Sequence, residues 1–164
     1  MKIDFSAFTE DAQDMAQRSY ELARRYRHPM ITREHVLLAF FETPDPKIRE
    51  MFKRMGTDVD AGRKRLEFLV SNRLPMGAEQ TPEPDKVFVS IEVKNFIDGS
   101  WLEAQRLGEK AISSPILFSG LIQSYFSGRD ADRTITEILM RLRVDPGAVR
   151  KILLTNSDWE ETAG

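Results

Sequence analysis

The chain has 164 residues, with 26 acidic against 24 basic side chains for a net charge of −2, a hydrophobic share of 41% and no cysteine. That hydrophobic share excludes a disordered chain, the missing thiols exclude disulfides and thiol catalysis, and the near-neutral balance argues against a dedicated nucleic-acid binder. The longest strongly apolar run, 36–41, is far short of the roughly 20 residues that span a bilayer, and the first five residues offer no apolar signal core, so the expectation is a cytoplasmic domain with neither membrane nor nucleic-acid partner.

Helical periodicity dominates the chain. Apolar or small residues recur at Ala12, Met15, Ala16, Ser19, Tyr20, Ala23 and Tyr26, the three-four spacing of one helix face. Thr9 stands before them as a capping residue, and Glu10 and Asp11 occupy the first turn, where the helix dipole favours acids. Thr32 predicts the start of a second helix through Val36–Phe41. Asp45-Pro46 places a capping residue before proline at the first helical position. The face that follows is Ile48, Met51, Phe52 and Met55, with Gly56 as its stop. Asp58 opens a fourth helix containing Leu66, Leu69 and Val70. Pro75, Gly77, Pro82 and Pro84 then forbid helix, so residues of about 71–86 read as a linker.

Beyond the linker the pattern repeats. A shift of 81 sets Thr9 on Ser90, Met15 on Phe96, Ser19 on Ser100, Ala23 on Ala104 and Ile31-Thr32 on Ile112-Ser113. A shift of 87 then sets Glu50 on Glu137, Arg54 on Arg141, Asp58 on Asp145, Ala61 on Ala148 and Arg63-Lys64 on Arg150-Lys151. The change of shift is one longer loop around 127–130. Two copies of a four-helix unit follow: an all-α fold of about eight helices, with repeat one at about 5–70, repeat two at about 87–155 and a polar tail at 156–164. Val87-Phe88-Val89 alternates like a strand but is too short to carry a sheet.

Four strings carry a family resemblance: Phe8-Thr9-Glu10-Asp11-Ala12, the run from Arg27-His28-Pro29-Met30-Ile31-Thr32-Arg33-Glu34-His35 into the apolar helix, and the turns Met55-Gly56-Thr57-Asp58 and Leu142-Arg143-Val144-Asp145-Pro146. With the duplication, they resemble the N-terminal domain of the Clp/Hsp100 AAA+ unfoldases over roughly 5–155. Asn72-Arg73-Leu74-Pro75 and Ala111-Ile112-Ser113-Ser114 look more like the ClpB and type VI secretion ClpV branches than like ClpC. No G-x-x-x-x-G-K-[ST] occurs in these residues, so they hold no P-loop. The resemblance implies a non-catalytic recognition domain without a cofactor of its own. ATP and magnesium would belong to motor domains in cis, and the polar tail would start the linker to them.

The implied partners are protein substrates, an adaptor protein or a helix from a secretion sheath, held in an apolar groove. The first candidates for that groove are Ile3, Phe5 and Phe8, and the second Val87, Phe88 and Val89. Thr9 and Glu109 match polar positions that help ClpB-like domains bind substrate; Thr9 also reads as a plain helix cap and Glu109 as an exposed acid. Glu34 matches an acid that holds phosphoarginine in ClpC-like relatives, but its second-copy counterpart is Pro115, and an acid in the first turn of a helix is its other reading. His28 and His35, the only histidines, lack the further ligands of a metal site and read as packing and capping residues at a turn. Arg24-Arg25-x-Arg27 and Arg63-Lys64-Arg65 read as solvated helix faces where an acid-rich adaptor can dock. The competing functions are a standalone accessory subunit that binds and stabilises a Clp protease ring, and an enzyme using Glu34 and His35.

Overall fold

The computed structural model describes residues 5–73, 88–127 and 133–155. After a 3-10 turn at Phe5–Ala7, the first copy holds α1 (Glu10–Arg25), β1 (Met30–Ile31), α2 (Arg33–Glu42), α3 (Pro46–Met55) and α4 (Val59–Arg73). The second holds β2 (Phe88–Val89), α5 (Ile91–Arg106), α6 (Ser114–Tyr125), α7 (Thr134–Arg141) and α8 (Pro146–Leu154). Among the described residues the fold is all-α with eight helices, as the periodicity predicts. α4 continues past residue 70 to Arg73, because the first proline after it is Pro75. Residues 74–87, the 128–132 part of the longer loop and the tail 156–164 lie outside the described residues.

The predicted caps set the helix starts. Asp45 accepts the backbone N–H of Ile48 at 2.9 Å, and the equivalent pair Asp58 and Asp145 accept those of Ala61 and Ala148 at 3.0 and 2.8 Å. Ser90 and Ser113 cap α5 and α6 through Val93 and Ile116. Gly56 ends α3 in the left-handed region, at φ 71°, which a residue without Cβ adopts freely. Its second-copy counterpart is Arg143, at φ 65°. The same exchange occurs after α1 and α5, where Arg27 (φ 58°) stands for Gly108 (φ 75°).

Two short backbone contacts join the copies. Met30 and Ile31 pair in parallel with Phe88 and Val89, and Phe8 bridges Ile112. Shifting by 81 turns one contact into the other. The flanking bonds agree: Thr9 N–H donates to Ile112 O and Ser90 N–H to Ile31 O, each at 2.9 Å. Phe88–Val89 therefore contributes a strand only because the first copy supplies its partner.

α2 and α6 form the centre. Every residue of 35–41 is buried, which suits a helix packed by α1, α4 and α6 together. Across the copies Phe118 meets Phe40 and Phe52 edge-on, with ring centroids 5.0 and 5.6 Å apart, geometry that favours aromatic pairs beyond their buried area. Buried Ser114 donates to Asp11 at 3.1 Å and also contacts Asp45, tying the starts of α1, α3 and α6.

Candidate peptide-binding surface

The parallel pair sorts its side chains by face. Ile31 and Val89, which are register partners, are buried. The other partners, Met30 and Phe88, are exposed at 39% and 54%. Ile91, the first residue of α5, is 55% exposed. Three large apolar side chains thus stand in water where the two copies join. Ile91 also lines an open cleft of about 670 Å³ between α5 and α6. Its lining includes Phe96 and Gly99 and carries charge of both signs, Glu92 and Glu103 with Arg33 and Arg150.

Arg33 and Glu34, the first residues of α2, are fixed by the second copy. The Arg33 guanidinium lies 4.2 Å over the Tyr125 ring and donates to Ser124 O and Oγ at 3.3 and 3.2 Å. Tyr125 Oη donates to Glu34 Oε2 at 3.0 Å. Burial pushes the Glu34 carboxyl above the usual range, while the Tyr125 bond and Arg33 pull it back. Glu34 is therefore a half-buried acid already holding one partner.

His35 is wholly buried. Its Nδ1 accepts Thr32 N–H at 2.9 Å, so Nδ1 carries no proton and Nε2 does. Nε2 then donates across 2.7 Å to His28 Nδ1. His28 in turn keeps its proton on Nε2, a buried atom with no hydrogen-bond partner. The hydrogen bonds suit two neutral rings: burial lowers the His28 pKa, and burial, with repulsion from His28 whenever that ring is protonated, lowers that of His35 to about 3. The pair locks the turn before α2. Among the described residues no group of three His, Asp or Glu side chains could hold a metal ion.

The other sequence candidates fall on two sides of the copy junction. Phe8 is in the core, 5% exposed. Thr9 occupies the cap position of α1, but its hydroxyl contacts Ile112 O and the Asp11 carboxylate and does not cap the helix. Glu109 is exposed in the turn before Ile112, its N–H donating to Ala104 O at 2.8 Å. Phe88 lies beside Met30 at the equivalent junction. Phe5 belongs to the 3-10 turn; Ile3 and Val87 lie outside the described residues. Sequence reasoning missed Met30 and Ile91 as surface residues. Strand alternation around Phe88 was the available signal, but Met30 becomes its neighbour only through long-range pairing.

The family model for the Clp repeat (R) N-terminal domain matches residues 7–131. The chain is 37% identical over 75 residues to the chaperone protein ClpB 1 of Synechocystis, covering 46% of this chain and 8% of that protein. It is 26% identical over 149 residues to the chloroplastic chaperone protein ClpC2 of Arabidopsis thaliana, covering 91% and 14%. The chain thus spans under a sixth of the length of either relative. Among solved structures, the ClpD N-terminal domain of Arabidopsis thaliana superposes with a TM-score of 0.67 at 19% identity, over 96% of this chain and 98% of that one. The Hsp104 N-terminal domain of Candida albicans gives 0.70 at 16%, over 92% and 91%. A ClpV N-domain in complex with a VipB peptide gives 0.68 at 14%, over 93% of both chains. Matched over well more than half its length, the chain belongs to the Clp repeat N-terminal domain family.

Proposed function

We propose that this chain is the recognition domain of a Clp/Hsp100 AAA+ unfoldase, and that it captures peptide segments of protein substrates or adaptors. The observation that carries this reading is the exposed Met30–Phe88–Ile91 patch beside the α5/α6 cleft. An apolar surface with a polar rim suits an amphipathic or unfolded segment. The ClpV relative with a VipB peptide supports peptide capture as the work of such a domain. Phe8 then acts from beneath, as core support for the junction. Thr9, Glu34 and Glu109 supply polar groups around it, and Ile3, Phe5 and Val87 extend the apolar sequence on either side. The work is binding alone: ATP and magnesium belong to motor domains in cis, and a tether to them raises the captured segment's local concentration at the motor.

The test is a titration followed by amide NMR shifts, using a sheath-derived amphipathic helix and, separately, a reduced and carboxymethylated unfolded polypeptide. At least one binds, with shifts centred on Met30, Phe88 and Ile91. Phe88→Asp and Ile91→Asp each weaken it about tenfold or more, since they put a charge in the apolar contact. The sheath helix alone binding points to the secretion branch; the unfolded chain alone points to the chaperone branch. If neither binds, or the aspartates leave affinity unchanged, the proposal fails.

A further inference from the structure

The pseudo-two-fold arrangement is broken on a face that shares no residue with the patch. α3 packs against α8. Its symmetry mate is the pair α7 and α4, and these leave a groove of about 440 Å³ between them. The 87-residue shift gives the cause. Where α8 offers the half-buried apolar Ile152, α4 offers Arg65. α4 also runs on to Arg73, well past the point equivalent to the end of α8, so Phe68 and Leu69 extend one wall.

The groove is built like a seat for a helix. Its α7 wall presents Thr134, Glu137, Ile138 and Arg141, a single helical face two turns long. The floor is apolar, and Phe68 at its edge is 65% exposed. The rim is positive. Lys64 is held by Asp60 at 3.3 Å and Arg63 by Asp60 and Glu67, but among the described residues Arg65 and Arg141 have no ion-pair partner. Among the described residues Glu137 is the only acid lining the groove.

We propose that this groove docks a second protein ligand: a short amphipathic helix with large apolar side chains on one face and carboxylates along its flanks. Apolar anchors enter between Phe68 and Ile138, and the flanking acids pair with Arg65 and Arg141. A second copy of this chain fits less well, because the rim would meet its own positive charge. The docking face is independent of the peptide patch, so the domain holds two protein ligands at once.

The test uses the 164-residue chain and two fluorescein-labelled synthetic helices with the same leucine face, one flanked by glutamates and one by lysines. Anisotropy titration gives saturable binding of the glutamate helix, weakened by added salt as exposed charge pairs are screened. Phe68→Ala lowers its affinity about tenfold or more. Arg65→Glu with Arg141→Glu abolishes it and transfers preference to the lysine helix. The titrations are made in the Phe88→Asp background, which keeps amphipathic helices off the patch, so the binding that remains reports this groove. Circular dichroism of each variant verifies the fold. The proposal is overturned if the lysine helix binds the Phe88→Asp chain equally well, or if glutamate-helix binding to that chain survives both groove variants. Concentration-dependent self-association that Phe68→Ala removes, or glutamate-helix binding that appears only after residues 156–164 are deleted, would also overturn it.

Discussion

Acidification should unlock the turn before α2, and the geometry sets both the sign and the size. His35 can accept Thr32 N–H only with Nδ1 bare, and its Nε2 proton already points at His28 Nδ1. A proton added to His28 Nδ1 sets N–H against N–H; one added to His35 Nδ1 does the same at Thr32. Both imidazoles therefore have folded pKa values below 6.5, that of His35 at about 3. The unfolded chain binds more protons than the folded one in that window. Stability is complete above about pH 6.5 and falls as the pH drops towards 3. At pH 5 an unfolded His35 is protonated and a folded one is not, which removes about 2 kcal/mol; His28 adds loss of the same sign. The assay is urea unfolding followed by helical circular dichroism at steps between pH 7.5 and 4.5. His35→Gln is the comparison, since a glutamine oxygen can accept Thr32 N–H without titrating. Glu34, pushed up by burial, and Glu103, held down by its Arg106 and Arg150 bonds, titrate in both proteins and cancel in the difference. The native chain should lose stability about 1.4 kcal/mol per pH unit more steeply than the variant below pH 6. Parallel slopes would refute the locked pair.

Two glycines in equivalent-looking helices should respond oppositely to alanine. A Cβ on Gly62 would lie 2.5 Å from Phe41 and 2.9 Å from Leu142, so Gly62→Ala should destabilise by about 1–2 kcal/mol even after the helix gain, read as a lower urea midpoint. A Cβ on Gly99 meets nothing within 4 Å, so Gly99→Ala should stabilise by about 0.5–1 kcal/mol in the same assay. Residues 1–73 expressed alone should show no cooperative thermal transition. They would expose the Phe40 and Phe52 faces that Phe118 covers and leave Ile31 without Val89; a sharp transition from a monomer would contradict this.

Helix starts were legible because their chemistry is local. Asp45-Pro46, Ser113 and Asp145-Pro146 each act within three residues, and the duplication needed only residue types in order. Thr9 shows where local reasoning stops. It has the right type and place for a cap, yet its hydroxyl turns to Ile112 O, a partner more than a hundred residues away. The two left-handed arginines were hidden for a related reason. Only the duplicate positions, Gly108 for Arg27 and Gly56 for Arg143, mark the backbone as one that glycine prefers. The surface patch was half legible: Phe88 belongs to a visible alternation, but its exposure is decided by pairing with Met30. The α4/α7 groove depends on Arg65 facing Arg141 across a repeat boundary, which no spacing along the chain encodes.

The symmetry also says where selection for partners can act. Positions that must serve the shared core agree in kind between the copies: Ser19 and Ser100 bond back to Met15 O and Phe96 O at 2.7 and 2.8 Å, and Ile31 and Ile112 are both buried. Positions outside the shared core diverge in chemistry. Glu34 answers Pro115, Arg18 answers Gly99, and Arg65 answers Ile152. Each divergence borders one of the two openings: Glu34 stands next to Arg33 at the cleft, Gly99 lines that cleft, and Arg65 rims the groove. A duplicated bundle whose copies had stayed alike would offer the same surface twice. These substitutions leave the common packing intact and give the two halves different surfaces, which is what a single small domain needs if it is to hold unlike ligands at separate places.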